Sequence, residues 1–399
     1  MGAGGPRLTQ TEPTAVGATA SVLWASTLAA TLATLPMFLV GALAIFIRAD
    51  LGFSEASLGA AASLFYVCAA LSNPPGGRLA ERLGGRPAMA VGAGCTFLAS
   101  LGIGLLARSW LVLAVSLMVA GVAVGIAQPA SSLALVRGVS PRRQGLAFGL
   151  KQSSGAFGTL LGGLSVPLIG LTVGWRWAFA LAALLCLPLL RYHRPPPARA
   201  ARTPVEKPVV AVRPLRYLAL ATLLAVMATS SVGPFYVESA VAGGISPALA
   251  GTLFAAGSLS AVLARLVWGH LAGLRLRSHF HMIALFQGLG AASFLMLAAF
   301  RAALPLAAAT LLLFAAGWGW PGVLNYAVVS RSPGAPAVAA GIVGVGQFGG
   351  GIFGPLGFGV LVETLSYRAA WTVGAALLGL AAVVTLLGGR ALSAATGGR

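Results

Sequence analysis

The chain has 399 residues, of which 58% are hydrophobic and only 8% are charged. Soluble domains carry about 25% charged residues, so this composition excludes an ordinary soluble protein and predicts a helical membrane protein. The formal net charge of +19 would suggest nucleic-acid binding in a soluble chain. Here the basic residues lie between apolar runs, so we predict a lipid bilayer as the surroundings and no nucleic-acid partner.

Apolar runs long enough to cross a bilayer follow one another along almost the whole chain. Residues 1–20 are polar, lack the pattern of a signal peptide and are predicted to form a cytoplasmic tail. Residues 193–214, rich in Pro and Arg, are predicted to link two bundles at 21–192 and 215–388, and a second tail follows at 389–399. The twelve predicted spans are 21–47, 55–75, 88–107, 111–135, 145–171, 177–192, 215–239, 247–270, 280–300, 303–329, 337–362 and 369–388.

The distribution of basic residues predicts the orientation of these spans. With the N-terminus inside, nineteen Lys and Arg residues lie on the inner side and five on the outer side. This bias predicts cytoplasmic termini in a multi-pass protein of the plasma membrane. We also predict a monomer without a cofactor. The three cysteines, Cys68, Cys95 and Cys186, stand too far apart for a metal site and are predicted to be packing residues.

The most charged connection between two early spans reads Gly77-Arg78-Leu79-Ala80-Glu81-Arg82-Leu83-Gly84-Gly85-Arg86-Pro87. It resembles the loop between the second and third helices of the major facilitator superfamily of transporters. Glu81 stands where that family more often has Asp, and Gly85 replaces a basic residue. The resemblance implies an all-α fold of twelve transmembrane helices in two pseudo-symmetric six-helix bundles. It also implies a cytoplasmic latch formed by Gly77, Glu81, Arg82, Gly84 and Arg86.

Two basic residues lie well inside predicted spans and not at their ends, Lys151 and Arg265. A charged side chain at the centre of a membrane costs about 2.5–3.5 kcal/mol on insertion scales, which makes both residues functional candidates. The alternatives are a lysine that reaches back to the cytoplasmic face and an arginine that supports the next loop. No Asp, Glu or His lies at the middle of a span. Two cations without buried anions therefore predict an anionic substrate.

The position of Arg265 resembles that of the anion-binding arginine in monocarboxylate and oxalate porters. The aspartate that monocarboxylate porters carry four residues earlier is replaced here by Ala261. Further polar and aromatic side chains are predicted to bind the substrate, with interhelical packing as the alternative for each. These residues are Gln152, Asn73, Gln347, Tyr236, Tyr66, Trp320 and Asn325. The stretch Trp318-Gly319-Trp320-Pro321-Gly322 also predicts a helix break.

Together these features predict a secondary transporter of a small anion, either an organic carboxylate or a cyanate-like ion. Residues 149–154 and 317–322 resemble the cyanate-permease-like branch. A proton or an exchanged anion would be the coupling partner. The alternative is a proton-coupled exporter of hydrophobic compounds, because residues 158–163 resemble the antiporter signature, with Thr159 in place of Pro. No enzyme is predicted, since the sequence has no nucleotide loop and no nucleophile with its base.

Overall fold

The computed structural model describes residues 13–191, 212–273, 279–332 and 336–397, and within these ranges all regular structure is helical. We number twelve helices in chain order over this part of the chain. They are α1 (Pro13–Ala42, continued by Ala44–Leu51), α2 (Glu55–Leu83), α3 (Gly85–Leu101, then Gly102–Leu106), α4 (Trp110–Gly138), α5 (Pro141–Gln152 and Ser154–Ser165, then Val166–Gly170), α6 (Arg176–Leu190), α7 (Val212–Thr229 and Val232–Ala242), α8 (Pro247–Gly273), α9 (His279–Ala299), α10 (Ala303–Leu312, Leu313–Gly317 and Trp320–Ser330), α11 (Pro336–Thr364) and α12 (Tyr367–Gly397).

The helices are arranged as two bundles of six, α1–α6 and α7–α12. In the N-terminal half α2 and α3 pack on α4, and in the C-terminal half α11 and α12 pack on α7. Eleven helices of the described chain are long and apolar enough to cross a membrane, whereas α6 has 15 residues and is shorter. The predicted all-α architecture of twelve transmembrane helices in two bundles is confirmed.

The helix ends differ from the predicted spans where helix-forming residues continue past the apolar run. Helix α1 begins at Pro13, inside the predicted N-terminal tail, and α12 continues to Gly397, through most of the predicted C-terminal tail. Helix α7 begins at Val212. Residues 193–211 of the predicted linker lie outside the described residues.

The predicted charged loop between α2 and α3 is mostly helix. Helix α2 runs through Pro74 and Pro75 to Leu83, and Gly84 alone separates it from α3. Gly84 has a φ of +91°, which a residue without a Cβ adopts easily, so one residue is enough to redirect the chain. The expectation that Gly77 lies in the connection between two spans was therefore wrong, since it lies within α2. Glu81 and Arg82 are exposed at the end of α2.

Close packing between α2 and α4 depends on Gly76. A Cβ at this position would collide with the carbonyl of Gly125, whereas a Cβ at Gly77 would meet nothing nearer than the Pro129 Cβ at 3.9 Å. We expect Gly76→Ala to destabilise the protein by about 1–3 kcal/mol, the usual cost of overpacking. The midpoint of thermal unfolding in detergent measures this effect. Gly77→Ala is the matched control, and an equal loss of stability in both variants would contradict the assignment.

Candidate functional site

The two halves meet closely at the end of the molecule that the charge distribution predicts to be outer, where α1 leads into α2. At four places the backbones approach so closely that no Cβ would fit between them. The pairs are Gly41 with Gly233, Gly59 with Pro355, Gly163 with Gly251 and Gly359 with Glu55. Nearer the inner end, Gly149, Gly155 and Gly344 have open space at the Cβ position. The described structure is therefore closed at its outer end.

Hydrogen bonds between the halves strengthen this closure. The Ser63 hydroxyl accepts from the Leu356 N–H at 3.2 Å, and the Thr159 hydroxyl accepts from the Ser258 hydroxyl at 2.7 Å. Thr159 is the residue that departs from the antiporter signature. Because proline has no hydroxyl group, that departure is what makes the α5–α8 hydrogen bond possible.

An ion cluster also joins the halves at the outer end. Arg48, in the continuation of α1, forms an ion pair with Glu55 at 2.9 Å and a second ion pair with Glu238 of α7. Its Nε also donates to the Phe53 carbonyl at 2.9 Å. From the sequence, Arg48 is only one of the five basic residues on the predicted outer side. An ion pair between residues 190 positions apart gives no local sequence signal.

Deeper in the molecule, three helices are interrupted. Helix α5 breaks at Ser153, α7 at Ser230 and Ser231, and α10 at Trp318 and Gly319. The break in α10 is the one that the Trp-Gly-Trp-Pro-Gly stretch predicts. Interrupted membrane helices free backbone carbonyls for other partners, and in transporters such breaks often line the substrate site.

Arg265 of α8 connects these interruptions. Its Nη1 donates to the Gln152 carbonyl at 3.2 Å, and its Nη2 donates to the Trp318 carbonyl at 3.4 Å. The indole Nε1 of Trp318 donates in turn to the Thr229 carbonyl at 3.3 Å, at the break in α7. The guanidinium group therefore contacts both halves of the molecule where their helices are broken.

Lys151 lies two residues before the break in α5 at Ser153 and is 5% exposed. Its ammonium group donates to the Gln128 carbonyl at 3.1 Å and to the Ser132 hydroxyl at 2.7 Å, both on α4. A lysine that reaches out to the cytoplasmic face would be exposed, so the structure disfavours that alternative. Within the described residues, neither Lys151 nor Arg265 forms an ion pair with a carboxylate.

The other predicted ligand residues fall into two groups. Near the seam between the halves, Tyr66 packs against Gly351 of α11, and Trp318 lies 6.3 Å from the Phe38 ring of α1 between ring centroids. The side chains of Gln152 and Gln347 are exposed, and those of Asn73 and Asn325 are partly exposed. Trp318 thus lies near the seam, whereas Trp320 was the tryptophan predicted to bind the substrate.

The second group is buried in the core. The Tyr236 hydroxyl is hydrogen-bonded to the Thr310 hydroxyl of α10, and the Tyr236 ring stacks on Phe254 of α8. Trp320 is also fully buried. In the described conformation these two residues support the C-terminal half. The assignment of the cytoplasmic latch to Gly77, Glu81, Arg82, Gly84 and Arg86 stays a prediction.

Comparisons with known proteins agree with this architecture. The family model described as the Major Facilitator Superfamily matches residues 26–220. The crystal structure of a bacterial homologue of the human lysosomal transporter Spinster, in an inward-facing and occupied conformation, is similar with a TM-score of 0.76 and 15% identity. The alignment covers 96% of this chain and 98% of that one. A D-xylose–proton symporter is similar with a TM-score of 0.73 and 17% identity, over 92% of this chain and 97% of that one. No curated protein matches the sequence.

Proposed function

Because the chain has the fold of the major facilitator superfamily and residues 26–220 match that family's model, we propose that it is a secondary transporter of a small anion. Alternating access would expose a site between the two halves first on one side of the membrane and then on the other. Closure at the outer end, under the predicted orientation, is a feature of the inward-facing half of that cycle.

The single observation that supports an anion is the position of Arg265. Its guanidinium lies where interrupted helices from both halves meet, and its partners there are two neutral carbonyls. A planar guanidinium carries further N–H donors in a fork that matches a carboxylate or a similar planar anion. An anion at this position would supply the negative charge that the surrounding described side chains do not.

Lys151 adds a second positive charge on the N-terminal side. Two hydrogen bonds of its ammonium group already go to α4. We therefore propose that Lys151 acts mainly by making the electrostatic potential of the site more positive. Arg265 is assigned to direct contact with the anion. The side chains of Gln152, Gln347, Asn73, Asn325 and Tyr66 are proposed to orient the ligand from around the seam.

A binding screen of the purified protein tests this proposal. Thermal unfolding would be measured at constant ionic strength with formate, acetate, lactate, oxalate or cyanate, and separately with the lipophilic cation tetraphenylphosphonium. At about one hundred times its Kd, a ligand that binds only the folded protein stabilises it by about 2.7 kcal/mol, which is a clear shift in the unfolding midpoint. We expect at least one anion to produce such a shift.

The same screen separates the anion transporter from the exporter of hydrophobic compounds. A lipophilic cation placed beside Arg265 and Lys151 would meet like charges, which disfavours binding. Stabilisation by tetraphenylphosphonium together with no response to any of the anions would reject the proposal in favour of the exporter.

A further inference from the structure

The C-terminal half of the chain has two acidic residues between residues 215 and 388, Glu238 and Glu363. Both lie at the outer end, and both contact the N-terminal half. The Glu363 carboxylate accepts a hydrogen bond from the Ala56 N–H at 3.0 Å, and Glu238 pairs with Arg48. The two carboxylates therefore join the halves on the side that must open to the outside.

Glu238 differs from Glu363 in its surroundings. Glu238 is 7% exposed, and Glu363 is exposed. One Glu238 oxygen pairs with Arg48, but the second, Oε2, is buried without a hydrogen-bond partner. An ionised carboxylate needs hydrogen-bond donors at both oxygens, and burying one oxygen without a donor costs free energy that a proton on that oxygen would reduce.

The groups that face Glu238 come from three helices. They are Arg48 from the continuation of α1, Glu55 from α2 and Tyr367 from α12. Glu55 competes with Glu238 for the same guanidinium, so two carboxylates share one positive charge. Asp50 lies on the same helix as Arg48 but pairs with Arg176 at 2.9 Å. The shared arginine leaves one negative charge in this cluster uncompensated.

A cavity at the outer end of the C-terminal half leads to this cluster. Its lining includes Tyr367, Tyr236 and Ser239, and two exposed arginines, Arg301 and Arg368, border it. The Tyr367 hydroxyl lies beside the Glu238 carboxylate, close enough to interact with it, but without the geometry of a formed hydrogen bond. A hydroxyl group can accept and donate a proton, so Tyr367 connects the cavity with the bare oxygen of Glu238.

We propose that Glu238 binds the coupling proton, and that this proton opens the outer end. A proton from the outer solution adds to Oε2, which neutralises the carboxylate and ends its ion pair with Arg48. Arg48 then retains its ion pair with Glu55 and its hydrogen bond to the Phe53 carbonyl, both within the N-terminal half. The halves lose their cross-seam ion pair, so the outward-facing state is favoured. This inference rests on the proposed transporter and names its coupling ion, which makes transport the joint movement of an anion and a proton.

The test follows opening of the outer end directly and needs no substrate. Cys68, Cys95 and Cys186 are replaced by Ala, and Ser63→Cys places one thiol in the buried outer seam. Labelling of whole cells with a membrane-impermeant methanethiosulfonate is then measured at about pH 5 and about pH 8. Because the reagent reacts with the thiolate, each rate is divided by the rate of a reference thiol, Thr172→Cys, at an exposed position between α5 and α6. We expect this relative rate to be about tenfold higher at the lower pH in the parent protein, since protonation removes a shielded ion pair. In Glu238→Gln we expect a high relative rate at both pH values.

Two control variants make the result specific. Glu55→Gln removes the competing carboxylate within the N-terminal half, and Glu363→Gln removes the exposed contact with Ala56. Both should keep the pH dependence. The proposal is overturned if the parent shows no pH dependence, or if Glu238→Gln responds to pH as the parent does. Neither result bears on anion binding at Arg265, which the thermal screen measures separately.

Discussion

Replacing Arg265 by Gln should abolish anion binding while leaving a folded protein in the membrane. The substitution removes the charge and the donors to the Gln152 and Trp318 carbonyls. Each charge-assisted hydrogen bond to an anion contributes about 1.5–3 kcal/mol, so the loss of two such bonds predicts an affinity at least about one hundred times weaker. Isothermal titration with the anion identified by the thermal screen measures the change, and uptake into proteoliposomes should fall with it.

Two further variants separate charge from geometry. Arg265→Lys keeps the positive charge, but a lysine ammonium cannot bind two carbonyls and a planar anion at once. We therefore expect an anion affinity between those of Arg265→Gln and the parent protein. Arg331→Gln is the matched control, because Arg331 lies in the same half and donates to the Ser393 hydroxyl at 2.6 Å. Unchanged affinity in Arg265→Gln, or an equal loss in Arg331→Gln, would remove Arg265 from the site.

Replacing Gly359 by Val should stop transport by a different route. A Cβ at Gly359 would collide with the Glu55 carbonyl and with Ala56 of α2, so the outer end could not close around a larger side chain. Because these contacts are between backbone atoms, a rotamer change cannot relieve the collision. We expect transport to fall to background, and the Ser63→Cys thiol to be labelled from outside at a high rate relative to the Thr172→Cys reference thiol at both pH values.

Gly357→Val is the control for this effect. Gly357 lies two residues away on α11 and has open space at its Cβ position. This variant should transport and label like the parent protein. If Gly359→Val transports normally, the observed closure of the outer end is not a required step of the cycle.

Features that depend on one stretch of sequence were predictable. The helix break at Trp318 and Gly319 follows from a local run of Gly and Pro, and the apolar run lengths indicate the twelve-helix architecture. The burial of Lys151 and the position of Arg265 at the seam agree with their rarity as charges within apolar spans. Their roles in binding stay predictions until an anion is tested.

Features that depend on where helices cross were not predictable from one sequence. Which of two adjacent glycines, Gly76 or Gly77, contacts α4 is set by the rotation of α2. Which of Trp318 and Trp320 lies near the seam is likewise set by the course of α10 at its break. One compositional signal for the outer ion cluster was present, since both acidic residues of the C-terminal half lie at outer ends. Only the fold shows that Arg48 meets one of them.

The atoms that hold Arg265 are backbone oxygens, and this has a consequence for how selectivity can change. A carbonyl is present whatever side chain follows it, so replacing Gln152 or Trp318 would reshape the space around the guanidinium without removing its anchors. Under the proposed function, relatives of this chain could change the size of the transported molecule by substitutions at those two positions. The proposed preference for negative charge would be inherited unchanged.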